Sequence, residues 1–402
     1  MTARRVAVTG IGVFSACGKD TAGFWESLRE GRSAIGPLDG FAGFRITTGA
    51  QIRDVAVEAH FSPKELDLYD RFTQYGLIAA REAVRNASVE WTQELRTMGG
   101  VVTGSCLGGK PTEDASFRQL YAAGNPRVPP MTIPKIMANA AASAITMEFG
   151  LTGPSFTFST ACSSASHAIA HAFWMVRQGM LEVAIAGGSE APFSAGHLRA
   201  WEALRVVAPD TCRPFSRDRK GMALGEGAAM LVLEPMDHAR SRGALILGEV
   251  VGAGMSADAH HITQPSPEGA ARAMMLAMRD AGIGAGQIGY INAHGTGTTV
   301  NDVTESKAIR SLFGSHTGSL LVSSTKSMHG HALGAAGALE AAATVMALRD
   351  GVVPPTANHL GPDPNCDLDV CPNSARACAA EYALSNSFAF GGLNAVLAFR
   401  KA

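Results

Sequence analysis

The stretch Ser155-Phe156-Thr157-Phe158-Ser159-Thr160-Ala161-Cys162-Ser163-Ser164-Ala165 decides how this chain is read. Ser155–Ser159 reads as a strand that ends just before Cys162. From Ser163 to Met180 the pattern is helical but apolar on nearly all sides (Ala165, Ala168, Ile169, Ala170, Ala172, Phe173, Trp174), which predicts a buried helix. Cys162 therefore stands at a helix N-terminus, where exposed N–H groups and the helix dipole stabilise an anion. That favours thiolate, the nucleophilic form of cysteine, and small neighbours leave room for a substrate. A packed structural cysteine fits the same position, and the residues alone leave both readings open.

Two histidine segments stand far downstream. One is Asn292-Ala293-His294-Gly295-Thr296-Gly297-Thr298, a loop whose glycines allow close backbone approach. The other is Lys326-Ser327-Met328-His329-Gly330-His331, which leads into a second Ala-rich, largely apolar helix predicted over Leu333–Leu348. His331 opens that helix much as Cys162 opens the first, so a duplicated chain would set the two residues facing each other across a pseudo-twofold axis. Two neutral imidazoles could aim their N–H groups at one oxygen and stabilise an enolate or oxyanion. No cysteine or carboxylate pairs with the histidines at metal-ligand spacing in sequence, so no metal is expected. Lys326, Asp302 and Glu305 flank these segments, and charges embedded in such apolar sequence are expected to pair with one another.

Strands and helices alternate along the 402 residues, predicting an α/β protein. Strands are predicted at 6–12, 99–104, 183–186, 229–233, 322–324 and 395–399. Helices are predicted at 21–30, 71–86 and 134–149. Both halves close on a glycine-rich turn followed by a strand: Leu224-Gly225 before Ala229-Met230-Leu231, and Phe390-Gly391 before Ala395-Val396-Leu397. This suggests a duplication with a boundary near residues 238–246, dividing the chain into 1–240 and 241–402. The abundance of glycine (45 residues) and alanine points to tight helix–sheet packing.

A formal net charge of −1 gives no reason to expect a nucleic-acid partner. The seven cysteines are scattered, odd in number and lack a CxxC pair, so a disulfide framework is not expected and a reducing cytosol is the natural compartment. Met1-Thr2-Ala3-Arg4-Arg5 runs straight into a strand rather than a signal sequence, and no stretch suggests a membrane span.

Thr160-Ala161-Cys162-Ser163-Ser164, the Asn292–Thr298 segment, Lys326–Gly337 and Asn386-Ser387-Phe388-Ala389-Phe390-Gly391-Gly392 resemble, in order and spacing, the four signatures of β-ketoacyl-[acyl carrier protein] synthases. The likeness covers essentially the whole chain and is nearest the elongating, KAS II-like branch. Within it, Trp201-Glu202-Ala203-Leu204-Arg205, Ala208–Phe215 and Pro364–Val370 look like the nodulation-protein-E type.

The resemblance implies a thiolase-like α/β fold: two duplicated halves in a five-layered αβαβα arrangement, usually a homodimer. It implies that Cys162 takes an acyl chain from phosphopantetheine on an acyl carrier protein, and that His294 and His331 hydrogen-bond the enolate left by malonyl decarboxylation. Backbone N–H groups of Cys162 and Phe390 would form an oxyanion hole, with Lys326 and Glu305 supporting the histidines. Thr263, Thr296 and Thr298 match pantetheine-arm positions, Leu107 an acyl-pocket position, and Phe390 a gating phenylalanine. Lys64, Arg71 and Arg205 could meet the acidic carrier. No cofactor of the enzyme's own is implied, although some relatives hold a monovalent cation near positions matching Asn292, Glu340, Ser385 and Asn386. Ala389 stands where glycine is usual and Leu393 where threonine is usual, so the gating loop is expected to move differently. A subunit that condenses only beside a chain-length-factor partner is the alternative reading. A thiolase is disfavoured, since no second cysteine lies near Gly391-Gly392.

Overall fold

The computed structural model describes residues 3–124 and 126–402, so Met1 and Thr2 of the predicted start lie outside the described residues. Ten strands are hydrogen-bonded in one continuous order: Leu321–Ser323, Ile288–Asn292, Tyr382–Phe388, Leu393–Arg400, Gly248–Ala257, Val6–Ser15, Gly227–Pro235, Val183–Glu190, Gly99–Gly104 and Ser155–Phe158. The junction is central, where Val6–Val8 pairs antiparallel with Gly248–Val250.

Outward from that junction, the five strands of each side follow one scheme. In chain order within each side, the first strand is flanked by the fifth, then the fourth, the second and the third. The pairing senses repeat as well, two antiparallel contacts followed by two parallel ones. The duplication suggested by two glycine-rich turns is thus a duplication of topology.

Three large apolar cores hold the five layers together. The central one holds the helices Ser164–Arg177 and Ala336–Asp350 between the inner faces of both sheet halves, with Ala184, Ala186, Leu231 and Leu233 pointing inward. Their neighbours Val183, Ile185, Met230 and Val232 point outward, under the helices Arg71–Ala87 and Ala140–Phe149. The third core lies under the helices Pro267–Ala281 and Thr299–Phe313. Alternate residues of one strand feed different cores because side chains along a strand alternate faces. The two central helices are apolar on all sides because both faces are covered.

Small residues let these layers close. A Cβ on Gly12 would meet the Ala79 carbonyl oxygen at 1.9 Å, and one on Gly10 the Ala83 carbonyl oxygen at 2.1 Å. The second half uses the same device: a Cβ on Gly254 would meet the Ala273 carbonyl oxygen at 2.2 Å, and one on Gly252 the Ala277 carbonyl oxygen at 2.5 Å.

Two expected helices are shorter than read. The 134–149 segment is broken into Thr132–Ile136 and Ala140–Phe149, and Leu333–Ala335 forms a separate 3₁₀ turn before the second central helix. The two sheet ends also differ. Leu321–Ser323 is covered by the C-terminal segment, with Val322 N–H donating to the Asp369 carbonyl at 2.9 Å. Ser155–Phe158, its counterpart, leaves Phe156 37% exposed.

Gly12→Ala and Gly254→Ala, each driving a methyl group into helix backbone, should destabilise the protein by about 1–3 kcal/mol, measured by denaturant unfolding. Gly361→Ala, where nothing lies within 4 Å and φ is not positive, is the comparison for added side chain alone.

Candidate active site

Cys162 lies in a 3₁₀ turn, Ala161–Ser163, that starts the helix Ser164–Arg177. Ala161 takes a positive φ of 51°, an uncommon conformation for a residue with a side chain. Hydroxyls hold the turn. Ser164 Oγ donates to the Ala161 carbonyl at 2.7 Å and accepts from Thr160 N–H at 2.9 Å. Ser163 Oγ lies 2.9 Å from the carbonyls of both Thr160 and Leu393.

The other half has a matching turn, Leu333–Ala335, with Leu333 at φ 48°. The topological counterpart of Cys162 is therefore Gly334, and His331 sits two residues before the turn. The expected symmetry between Cys162 and His331 is not strict. The residues meet nonetheless: one atom each of Cys162, His294 and His331 lie within 4.8 Å of one another, all buried. Sequence spacing could not reveal this three-donor set. Its geometry would admit a zinc ion, but the ammonium of Lys326, 3.2 Å from His294 Nδ1, opposes a dication there.

His294 follows the strand Ile288–Asn292. Glu305, fully buried, grips its loop by accepting from the N–H groups of His294 and Gly295 at 2.9 and 2.8 Å, and also accepts from Asn386 Nδ2 at 3.0 Å. Lys326, also fully buried, donates to the His294 carbonyl at 2.6 Å and faces His294 Nδ1. Its ion-pair partner is Glu340, in direct contact, not Glu305 or Asp302 as expected. Asp302 instead accepts from Phe215 N–H at 2.7 Å and lies 3.7 Å from Arg219. The correction is geometric: Glu340 lies one turn into the second central helix, whose N-terminus points at the site.

These contacts set the tautomers. Lys326 has only protons to offer, so His294 Nδ1 is an acceptor. His331 Nδ1 accepts from Leu333 N–H at 3.2 Å. In both neutral rings the proton then sits on Nε2. His331 Nε2 is buried without a partner, and the two rings stand at 86° with centroids 5.4 Å apart. Burial, then the Lys326 charge, holds both imidazoles well below the usual histidine range. Burial pushes the Cys162 thiol up to about 11, against the Lys326 charge and a backbone hydrogen bond from Phe390. Burial thus opposes the bias towards thiolate that the helix N-terminus was expected to give.

A cavity of about 370 Å³ opens onto these residues. Its wall includes Cys162, His294, His331, Thr263, Thr296, Thr298, Phe390 and Arg205, so most of the residues singled out in sequence meet in one place. Lys326 and Glu305 lie behind it. Leu107 lies in a neighbouring apolar cluster with its N–H on Glu190, and Cys162 alone represents the nucleophile loop in the wall. Lys64 is exposed on a short helix and Arg71 is engaged by Glu58 at 3.0 Å; neither lines the cavity. Lys220 and Trp201, not singled out as site residues, do line it. The basic run Arg213–Lys220 was the available signal for the first. The positive φ angles of the Phe390 turn fall on Gly391 (83°) and Gly392 (71°), so Ala389 replaces no residue that needed them.

The oxygens Glu340 Oε2, Ser385 Oγ and Asn386 Oδ1 are each buried without a hydrogen-bond partner.

Comparison with known proteins agrees with this geometry. The model of the beta-ketoacyl synthase N-terminal domain matches residues 3–239, and that of the C-terminal domain residues 247–359. Nodulation protein E of Rhizobium sp. (strain N33) is 49% identical over 400 residues, covering 99% of each chain. The 3-oxoacyl-[acyl-carrier-protein] synthase 2 of Staphylococcus aureus (strain COL) is 40% identical over 407 residues, covering 99% of this chain and 98% of the relative. The structure of the ishigamide ketosynthase/chain length factor superposes with a TM-score of 0.93 at 36% identity, covering 100% of both chains.

Because both imidazoles are held below 6.5, lowering the pH through 6.5 should leave them neutral. Side-chain NMR of labelled His294 and His331 should show no protonation between pH 8 and about 6. Lys326→Met removes a charge that depresses both, so both should then titrate at higher pH than in the parent.

Proposed function

The chain belongs to the β-ketoacyl synthase family, and on that premise we propose that Cys162, His294 and His331 carry its decarboxylative Claisen condensation. The enzyme is a β-ketoacyl-[acyl carrier protein] synthase, which lengthens an acyl chain by two carbons from malonyl-acyl carrier protein. The observation that carries the residue assignment is the unpartnered, buried Nε2 of His331 beside His294 and Cys162.

The Cys162 sulfur attacks the thioester carbonyl of the acyl donor and gives up its proton. The pantetheine thiol leaves with a proton, and the chain stays on Cys162 as a thioester. Malonyl-carrier follows. Its C–CO2 bond breaks, CO2 departs, and the electron pair becomes an enolate whose oxygen accepts from the Nε2–H groups of His294 and His331. Neutral imidazoles suit this role, because they stabilise the enolate without protonating its carbon. The carbanion attacks the acyl thioester, whose developing oxyanion is held by the N–H groups of Cys162 and Phe390. The C–S bond then breaks, and Cys162 regains its proton from solvent. Lys326 and Glu305 are positioning residues: one fixes the His294 tautomer, the other its loop.

Thr263, Thr296 and Thr298 are proposed to hold the pantetheine arm, which the carrier brings, and no cofactor of the enzyme's own is required. Arg205, at the cavity wall with Lys220, is proposed as the contact for the acidic carrier, in preference to Lys64 and Arg71. Leu107 is proposed for the deeper acyl pocket. We take 1–240 and 241–402 as the two halves, a division that falls near the end of the short helix Met236–Ser241. The open edge at Ser155–Phe158 offers a strand for a second copy, or for a chain-length-factor subunit like that in the ishigamide pair. Among the described residues, no helix is long and apolar enough to cross a membrane, and all seven cysteines are free, which supports a cytosolic setting.

Incubation with acyl-carrier donors of varied length, followed by intact-mass measurement, should show one acyl adduct, lost in Cys162→Ala. An adduct that persists in that variant overturns the assignment. Cys162→Gln should still release CO2 from malonyl-carrier, and adding His294→Ala or His331→Ala should slow that release by about 10²–10³-fold. Arg205→Glu with Lys220→Glu should raise KM for the carrier about tenfold and flatten its salt dependence, with kcat little changed.

A further inference from the structure

Trp201 belongs to two environments at once. It lines the cavity with Cys162, and it packs in the apolar cluster that contains Leu107, Phe193, Leu198 and Leu333. The indole therefore borders both the cavity at Cys162 and that cluster. The ring also lies beside Phe390, with centroids 6.4 Å apart and planes tilted by 31°.

The indole is fixed from three directions. Its N–H donates to His197 Nε2, one helical turn back, at 2.6 Å. The helix Ala195–Leu204 that carries both is held at its start by Asp114, which accepts from the N–H groups of Ala195 and Gly196 at 3.1 and 3.3 Å. It is held at its end by Glu202, which accepts from the N–H groups of Arg45 and Ile46 and from Arg199. Swinging the ring aside would break this indole hydrogen bond. His197 can accept only while neutral. Burial, with the Lys110 charge, lowers it to about 4, so the acceptor persists through the neutral range.

We propose that Trp201 is the specificity-determining wall of the acyl site, limiting the length of chain that Cys162 carries, and that His197 is the positioning residue that holds it. The inference rests on Cys162 being the acylated residue. Hydrophobic pockets discriminate by about 1–3 kcal/mol per methylene, so displacing a wall of this size should be visible in the loading profile.

The experiment measures acylation of Cys162 by a series of saturated acyl-carrier donors, in the parent and in Trp201→Ala, Trp201→Phe and His197→Leu. Trp201→Ala should shift the ratio of longest to shortest chain loaded by at least about tenfold towards the longest. Trp201→Phe and His197→Leu, which keep an aromatic ring at position 201 and remove one side of the hydrogen bond, should give smaller shifts in the same direction. The His197→Leu effect should vanish in a Trp201→Ala background, which general damage to the helix would not produce. An unchanged profile, or a loss equal at every chain length, overturns the proposal. A parent that takes no acyl group on Cys162 would instead overturn the catalytic reading.

Discussion

The site depends on one ammonium group kept out of water. Lys326 has 0% exposure, and its three protons are directed at Glu340, the His294 carbonyl and His294 Nδ1. Burying such a charge is tolerated only when its partners are fixed in place. Glu340 supplies the counter-charge from one half-helix, and the His294 loop supplies the acceptors. In return the ammonium fixes one imidazole tautomer, and its charge adds to burial in keeping both histidines neutral. The chemistry at Cys162 is therefore set partly by a residue that does not reach the cavity.

That arrangement is possible because the chain is folded twice on one plan. Duplicated strand order places two helix N-termini back to back at the centre, each preceded by a strained turn, Ala161 in one and Leu333 in the other. One turn carries the nucleophile. The other carries Gly334, whose missing side chain leaves space for the backbone of Cys106 and the carboxylate of Glu190. Divergence between matched turns lets one topology supply sulfur from one side and imidazoles from the other. Gly10, Gly12, Gly252 and Gly254 bring the outer helices onto the sheet in both halves, so the central helices stay clamped and the catalytic atoms stay in register.

The sequence singled out Cys162 and both histidines because each sits in a short run of small or hydroxylated residues with a distinct local pattern. Ala-rich helices apolar on every side announced a buried centre. Glu340 was passed over as Lys326's partner because pairing across a fold is a matter of three-dimensional distance, and Glu305 was nearer in pattern. Arg71 was plausible as a free surface cation, yet Glu58 already holds it, and nothing local in the chain revealed that. The net electrostatics of Cys162 also escaped local reading: a helix N-terminus argues for thiolate, but the depth of burial, which depends on all five layers, argues more strongly for thiol.

Sequence alone determined the class of fold, its duplication, and which cysteine and histidines to look for together, because periodicity and motif spacing are properties of contiguous residues. Tertiary structure alone decided which charges pair, which imidazole nitrogens carry protons, which cations line the cavity, and that Trp201 borders both the cavity and the Leu107 cluster. Those depend on distances between segments remote in the chain, and on burial, which turns an ordinary side chain into one with a fixed proton and a fixed direction.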